Sequence, residues 1–155
     1  MEKYSEFNAL IKDFIELFDT LIDVEQKKLD AVIANDIANV EESIKKEQAV
    51  ILRLRGLEHQ RESTQVSMDM KDLTFREILE QAPEDVSEAL TPMFEELSQK
   101  VRTFQSINDN AKDAVNVKLH HIQSMLNPSA AGSKVYSASG TGSTSEETHF
   151  TNRFV

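Results

Sequence analysis

Residues 4–24 read YSEFNALIKDFIELFDTLIDV, and their pattern decides the fold class. Phe7, Leu10, Phe14, Leu17, Leu21 and Val24 recur at alternating steps of three and four, the spacing of a heptad seam along a helix. Tyr4, Ile11, Ile15, Phe18 and Ile22 widen this seam into a broad apolar face. A two-stranded coiled coil needs only a narrow stripe, so a face this wide implies burial against at least two neighbours. Glu6, Asp13, Glu16, Asp19 and Asp23 fall on the side left for water. The spacing predicts a helix over residues 5–34, about 45 Å long at 1.5 Å per residue.

Working outward, Asn35-Asp36 interrupts the pattern, and Asp36 is placed to cap a second helix, because its carboxylate accepts from backbone N–H groups that have no intrahelical partner. That helix, predicted over 37–68, carries Ile37, Val40, Ile44, Ile51 and Leu54 on one seam, with Val50 and Leu57 beside it. Glu47 and Glu58 occupy seam positions further along. Two long helices with so short a break form an antiparallel hairpin, each covering the other's apolar face. Gly56 lies inside the second helix and costs about 1 kcal/mol relative to alanine, either for close packing or through simple tolerance.

Further on, Thr74 with Glu77 three residues later is a capping box opening a short helix over 74–81 through Phe75, Ile78 and Leu79. Pro83 and Pro92 each suit the first turn of a new helix, with a short helical turn from Asp85 to Leu90 between them. A third long helix is then predicted over 92–126, seamed by Phe94, Leu97, Val101, Phe104, Asn108, Ala111, Val115, Leu119, Ile122 and Leu126. Asn108 and Ala111 weaken the middle of this seam. They suit either register control with close helix approach or a shallow, partly polar groove for another chain.

Gly56 is the only glycine before residue 132 and no proline precedes Pro83, which argues against a β-meander. The expected fold is therefore all-α: an antiparallel helical hairpin plus a third long helix, an elongated coiled-coil-like bundle spanning 1–126. Residues 127–155 are rich in Ser, Thr and Gly, and hold too few apolar groups to offset the entropy of ordering them. They are expected to form a flexible C-terminal tail. Val135-Tyr136 and Phe150 to Val155 are apolar islands within it, either short binding elements or a plain terminal extension.

Composition narrows the function. The formal charge is −10, unfavourable for nucleic acid, whose recognition needs basic side chains to displace counterions. Cysteine is absent, so there is no disulfide framework, thiolate metal site or catalytic thiol. No apolar run reaches the ~18 residues of a membrane span. The N-terminus lacks the basic start of a secretory signal, so a cytoplasmic protein is expected. A di-iron bundle would need inward Glu-x-x-His pairs on two helices, which His59, His120, His121 and His149 do not supply, and no phosphate loop or nucleophile elbow is present. Neither catalysis nor a metal or cofactor is expected. What remains is binding, in the mode where an amphipathic helix lies in a groove between helices. The methionines, Met68, Met70, Met93 and Met125 among them, suit either core or adaptable surface.

Several segments, in order, resemble the FlgN family of flagellar export chaperones. They are Glu25 and Leu29 in the first helix, the break Ala34-Asn35-Asp36, the turn Lys45-Lys46-Glu47, and the ending Leu57-Glu58-His59-Gln60-Arg61. Leu73-Thr74-Phe75-Arg76-Glu77-Ile78 is similar to a further family segment. Ile107-Asn108 matches a typical Leu-Asn pair, although Ala111 stands where a second asparagine is common. Val135-Tyr136 through Gly140 resembles the family's element near the C-terminus. The resemblance implies a non-enzymatic chaperone whose helical domain binds the C-terminal helical segments of the hook-associated proteins FlgK and FlgL. It would hold them from premature association and present them to the type III export gate. It points to the last long helix for client binding, where the interrupted seam makes Phe104, Ile107, Ala111, Val115, Leu119 and Ile122 the expected residues, and Tyr136 is expected to contact the export gate by its position in the tail. A self-associating coiled-coil scaffold, with homodimers formed through the same seams, is the alternative.

Overall fold

The structure, a computed structural model, describes residues 2–126, which form four helices and, among the described residues, no strand. They are α1 (Glu2–Ile33), α2 (Ile37–Ser67), α3 (Phe75–Gln81) and α4 (Glu84–Leu126). The expected tail lies outside the described residues.

α1 is the centre, with α2 and α4 both packed along it and α3 against α4. Paired side chains give the directions. Lys28 of α1 meets Glu47 of α2, while Arg61, near the end of α2, lies over the ring of Phe75, which itself touches Phe7 near the start of α1. α2 is thus antiparallel to α1. Asp19 pairs with Lys100, Phe18 with Phe104, and the end of α1 with Lys118, so α4 runs parallel to α1. The broad face of α1 needs two neighbours and has them: Phe7, Leu10, Ile11, Phe14, Leu17, Phe18 and Leu21 are all essentially sealed from solvent.

The two corners that close the α2 region share one device. Asn35 adopts φ 56°, with Asp36 N donating to Ala31 O at 2.9 Å and Asn35 N to Val32 O at 3.2 Å. This is a Schellman ending with asparagine in the left-handed position. Asp36 then caps α2 as expected, accepting from Asn39 N at 3.2 Å and from Asn39 Nδ2 at 2.6 Å. At the other end Asp69, φ 60°, repeats the motif: Met70 N donates to Gln65 O at 2.8 Å and Asp69 N to Val66 O at 3.1 Å. The capping box is also formed, Glu77 N donating to Thr74 Oγ1 and Thr74 N to Glu77 Oε2.

Two expectations are corrected. The segment after Pro83 is one 43-residue helix, with no break at Pro92. Pro92 removes the hydrogen bond to the Glu88 carbonyl, but both residues lie on the exposed side, where a lost bond costs least. Leu90, Phe94 and Leu97, buried on the inner side, anchor the helix on both sides of Pro92. The expected face of α2 holds only in part: Val50, Leu54 and Glu58 are buried as its spacing required, but its N-terminal positions are not. Its buried side is Ser43, Val50, Leu54, Glu58, Arg61, Thr64 and Gln65, leaving Ile37 and Ile44 exposed.

Polar residues can take the inner face because they satisfy one another. Arg61 donates from Nη2 to Glu58 Oε2 at 3.0 Å and from Nη1 to Gln65 Oε1. Gln65 Nε2 in turn donates to Met70 O at 3.0 Å and Leu73 O at 2.9 Å. The cluster ties the end of α2 to the chain that leads into α3. Met68 and Met70 in that link are core residues. Gly56 is exposed, and a Cβ there would meet nothing within 4 Å, so tolerance rather than close packing explains it.

Candidate functional site

The seam of α4 begins as core. Phe94, Leu97 and Val101 are buried, and Phe104 stands edge-on to Phe18 with ring centroids 6.0 Å apart. Asn108 is buried, and Ala111 is 1% exposed. The same seam then emerges: Val115 is 38% exposed, Leu119 47%, Ile122 51% and Leu126 80%. Met125 beside it is exposed as well.

The cause is the length of the partner. α1 has 32 residues against 43 in α4, about 48 Å against about 65 Å. Lys118 marks where cover ends, its Nζ donating to Ile33 O at 3.3 Å and to Asn35 Oδ1 in the α1–α2 turn. From there α4 continues for about 12 Å with its apolar stripe uncovered by any described residue. Ile33 and Ile37 at the turn are exposed too, so the open end of the hairpin and the overhanging helix are apolar together.

Of the residues expected to bind a client, Val115, Leu119 and Ile122 are thus brought together on one open stripe. Ile107 and Phe104 are half-buried, Phe104 against the core, and Ala111 faces inward with no exposed surface to offer in this conformation. Tyr136 lies outside the described residues. The exposed Met125 and Leu126 extend the stripe beyond the residues expected from sequence.

Between this open end and the core sits a polar layer that the sequence pattern marks only in part. Lys28 Nζ donates to Glu25 Oε1 at 3.3 Å, lies 3.1 Å from Glu25 Oε2, and donates to Glu47 Oε2 at 2.5 Å. Burial, aided by the hydrogen bond to Glu47, pushes the Glu25 carboxyl up to about 7 against the pull of Lys28. Burial also acts to raise Glu47, but hydrogen bonds with Glu25 and Lys28 and the charges of Lys28 and Lys112 hold it below its ordinary value. Burial acts to lower Lys28, yet its hydrogen bond to Glu47 and the two carboxylate charges keep it above the usual range. The signal for this layer was the seam itself: Lys28 follows Val24 at the next seam position of α1, and Glu47 sits on that of α2.

Among the described residues no three His, Asp or Glu side chains converge on a point that would hold a metal ion, and no helix is long and apolar enough to cross a membrane. His59, His120 and His121 are exposed.

Among the described residues the fold is all-α, and α4 carries its core seam out past the end of its partner as an open apolar stripe of the kind that helix-in-groove recognition uses. The family model described as "FlgN protein" matches residues 1–144. The chain belongs to the FlgN family, a family of flagellar export chaperones associated with hook-associated proteins. No curated protein and no solved structure matches it.

Proposed function

We propose that the open end of α4 receives the C-terminal amphipathic helical segments of FlgK and FlgL in the cytoplasm, prevents their premature association and presents them to the type III export gate. The observation that carries this reading is the seam of α4 continuing, in register, beyond the α1–α2 turn. A client helix laid along Val115, Leu119 and Ile122 extends the bundle by one more partner. Phe104, Ile107 and Ala111 support the stripe from within by fixing α4 on α1.

The energetics suit a temporary complex. Covering the exposed half of these three side chains contributes about 2–4 kcal/mol, to which the apolar face of the client adds its own burial. Ordering a disordered client segment takes back about 2–5 kcal/mol, leaving a complex that can be released. The net charge of −10 keeps a protein with an exposed apolar stripe in solution. Tyr136 is assigned to the export gate from its place in the family-like tail element. Tyr136→Ala is expected to reduce export while client affinity stays; lost client affinity would move Tyr136 to the client site.

Titration calorimetry with the C-terminal segments of FlgK and FlgL tests the main assignment. Saturable binding with a negative heat-capacity change supports it. The same open stripe also suits a second copy of this chain. Absence of binding by the folded protein, together with a stable dimer in light scattering, would favour the self-associating scaffold.

A further inference from the structure

The polar layer has a geometry suited to more than register. Leu21 and Val24 are the last large apolar seam residues of α1 before it, and beyond it the hairpin buries only Ala31, Val32 and Ser43. Glu25 is 1% exposed, and its Oε2, though 3.1 Å from Lys28 Nζ, accepts no hydrogen bond. The charged groups that face it are Lys28 on its own helix and Glu47 on α2, with Lys112 of α4 acting on Glu47. Two carboxylates therefore share one ammonium, with Glu25 sealed from water and Lys28 and Glu47 only partly exposed. With one proton held between them the Glu25–Lys28–Glu47 triad is neutral. With both ionised it carries an excess negative charge and a buried oxygen that accepts no hydrogen bond, a cost relieved by admitting water.

We propose that the Glu25–Lys28–Glu47 layer is a proton-operated joint, holding the far end of the α1–α2 hairpin closed while the two carboxylates share a proton and loosening that end when the proton leaves. The loosening falls on this end because little apolar surface holds it, whereas the other side of the layer is anchored by Phe7, Phe14 and Phe18.

The titration supports the direction. Glu25 is raised from 4.5 to about 7, so the closed state binds more protons than the opened one between those values. Closure is therefore favoured at the acidic end and weakens as pH rises through 7. Glu47, held below its ordinary value, and Lys28, held above its own, keep their charges throughout that window.

Backbone hydrogen exchange of the full chain, corrected for intrinsic rate, tests the joint. Between about pH 6 and about pH 8.5, protection over residues 25–47 is expected to fall about tenfold, while that over residues 7–21 stays unchanged. Glu25→Gln, which keeps the shape without the charge, is expected to remove the pH dependence. Glu47→Gln leaves Lys28 to Glu25 alone, and the midpoint of the change is expected to move to lower pH. Equal protection at both pH values in the native protein, a dependence that survives Glu25→Gln, or an unmoved midpoint in Glu47→Gln each overturns the proposal.

Discussion

The two ends of this molecule are built on the same helices with the same seam spacing, yet they are opposites. At one end Phe75 of α3 stands edge-on to Phe7 of α1 at 5.2 Å, to Phe14 at 6.1 Å and to Phe94 of α4 at 6.4 Å. Three helices meet on one ring, and Arg61 of α2 lies over it at 5.9 Å. At the other end the buried residues are Ala31, Val32, Ser43, Asn108 and Ala111, and the large apolar side chains face solvent. Pattern alone does not bury a seam; a partner of matching length does. The polar layer of Glu25, Lys28 and Glu47 lies at the boundary between the two regimes, dividing a closed aromatic end from an end whose large apolar side chains are uncovered.

This contrast can be broken hardest at Phe75. Phe75→Ala removes the ring shared by α1, α3 and α4 and is expected to cost about 3–5 kcal/mol, read as a lower denaturation midpoint in urea. An effect below about 1 kcal/mol would mean that the aromatic end is not the stabilising one.

The boundary itself should respond to pH. Ionising Glu25 in the folded state costs about 3 kcal/mol at pH 8 relative to the unfolded chain, a cost absent below pH 4.5. Glu25→Gln is therefore expected to stabilise the protein relative to the native chain at pH 8 and to lose that advantage at pH 5. Urea midpoints of both proteins at the two pH values measure the difference.

On the outer face of α2, Gly56→Ala is expected to raise stability by about 1 kcal/mol, since the added methyl meets nothing and the helix gains in propensity. A loss of thermal stability would show an unseen packing demand at that site.

The smallest effect on stability is expected at the open end, where it sharpens the contrast most. Leu119→Asp should change the unfolding free energy by no more than about 0.5 kcal/mol and leave helicity by circular dichroism intact. It should also abolish binding of FlgK and FlgL segments. Retained client affinity in the folded variant would move the client site away from this stripe.

Features governed by neighbours along the chain are legible in the sequence. The Asp36 cap and the Thr74–Glu77 box depend on side chains reaching backbone N–H groups a few residues on, so local spacing suffices. The α1 face is legible because it is wide and strongly apolar. The α2 face is legible only in part: Val50, Leu54 and Glu58 lie where the spacing puts them, but the burial of Arg61 and Gln65 depends on their bonds to Glu58, to each other and to Met70 and Leu73. Pro92 misleads for a related reason: a lost hydrogen bond on an exposed side is outweighed by the apolar side chains around it, which no local rule counts.

The amino-acid sequence by itself determined that this protein is helical, where its first two long helices end, and that its last helix carries an apolar seam as far as Leu126. These follow from spacing, capping and the scarcity of glycine and proline, all local properties. Only the tertiary structure decided which part of that seam is core and which is surface. The decision rests on where the α1–α2 turn comes to lie beside α4, at Lys118, because burial requires a second chain segment at the same height.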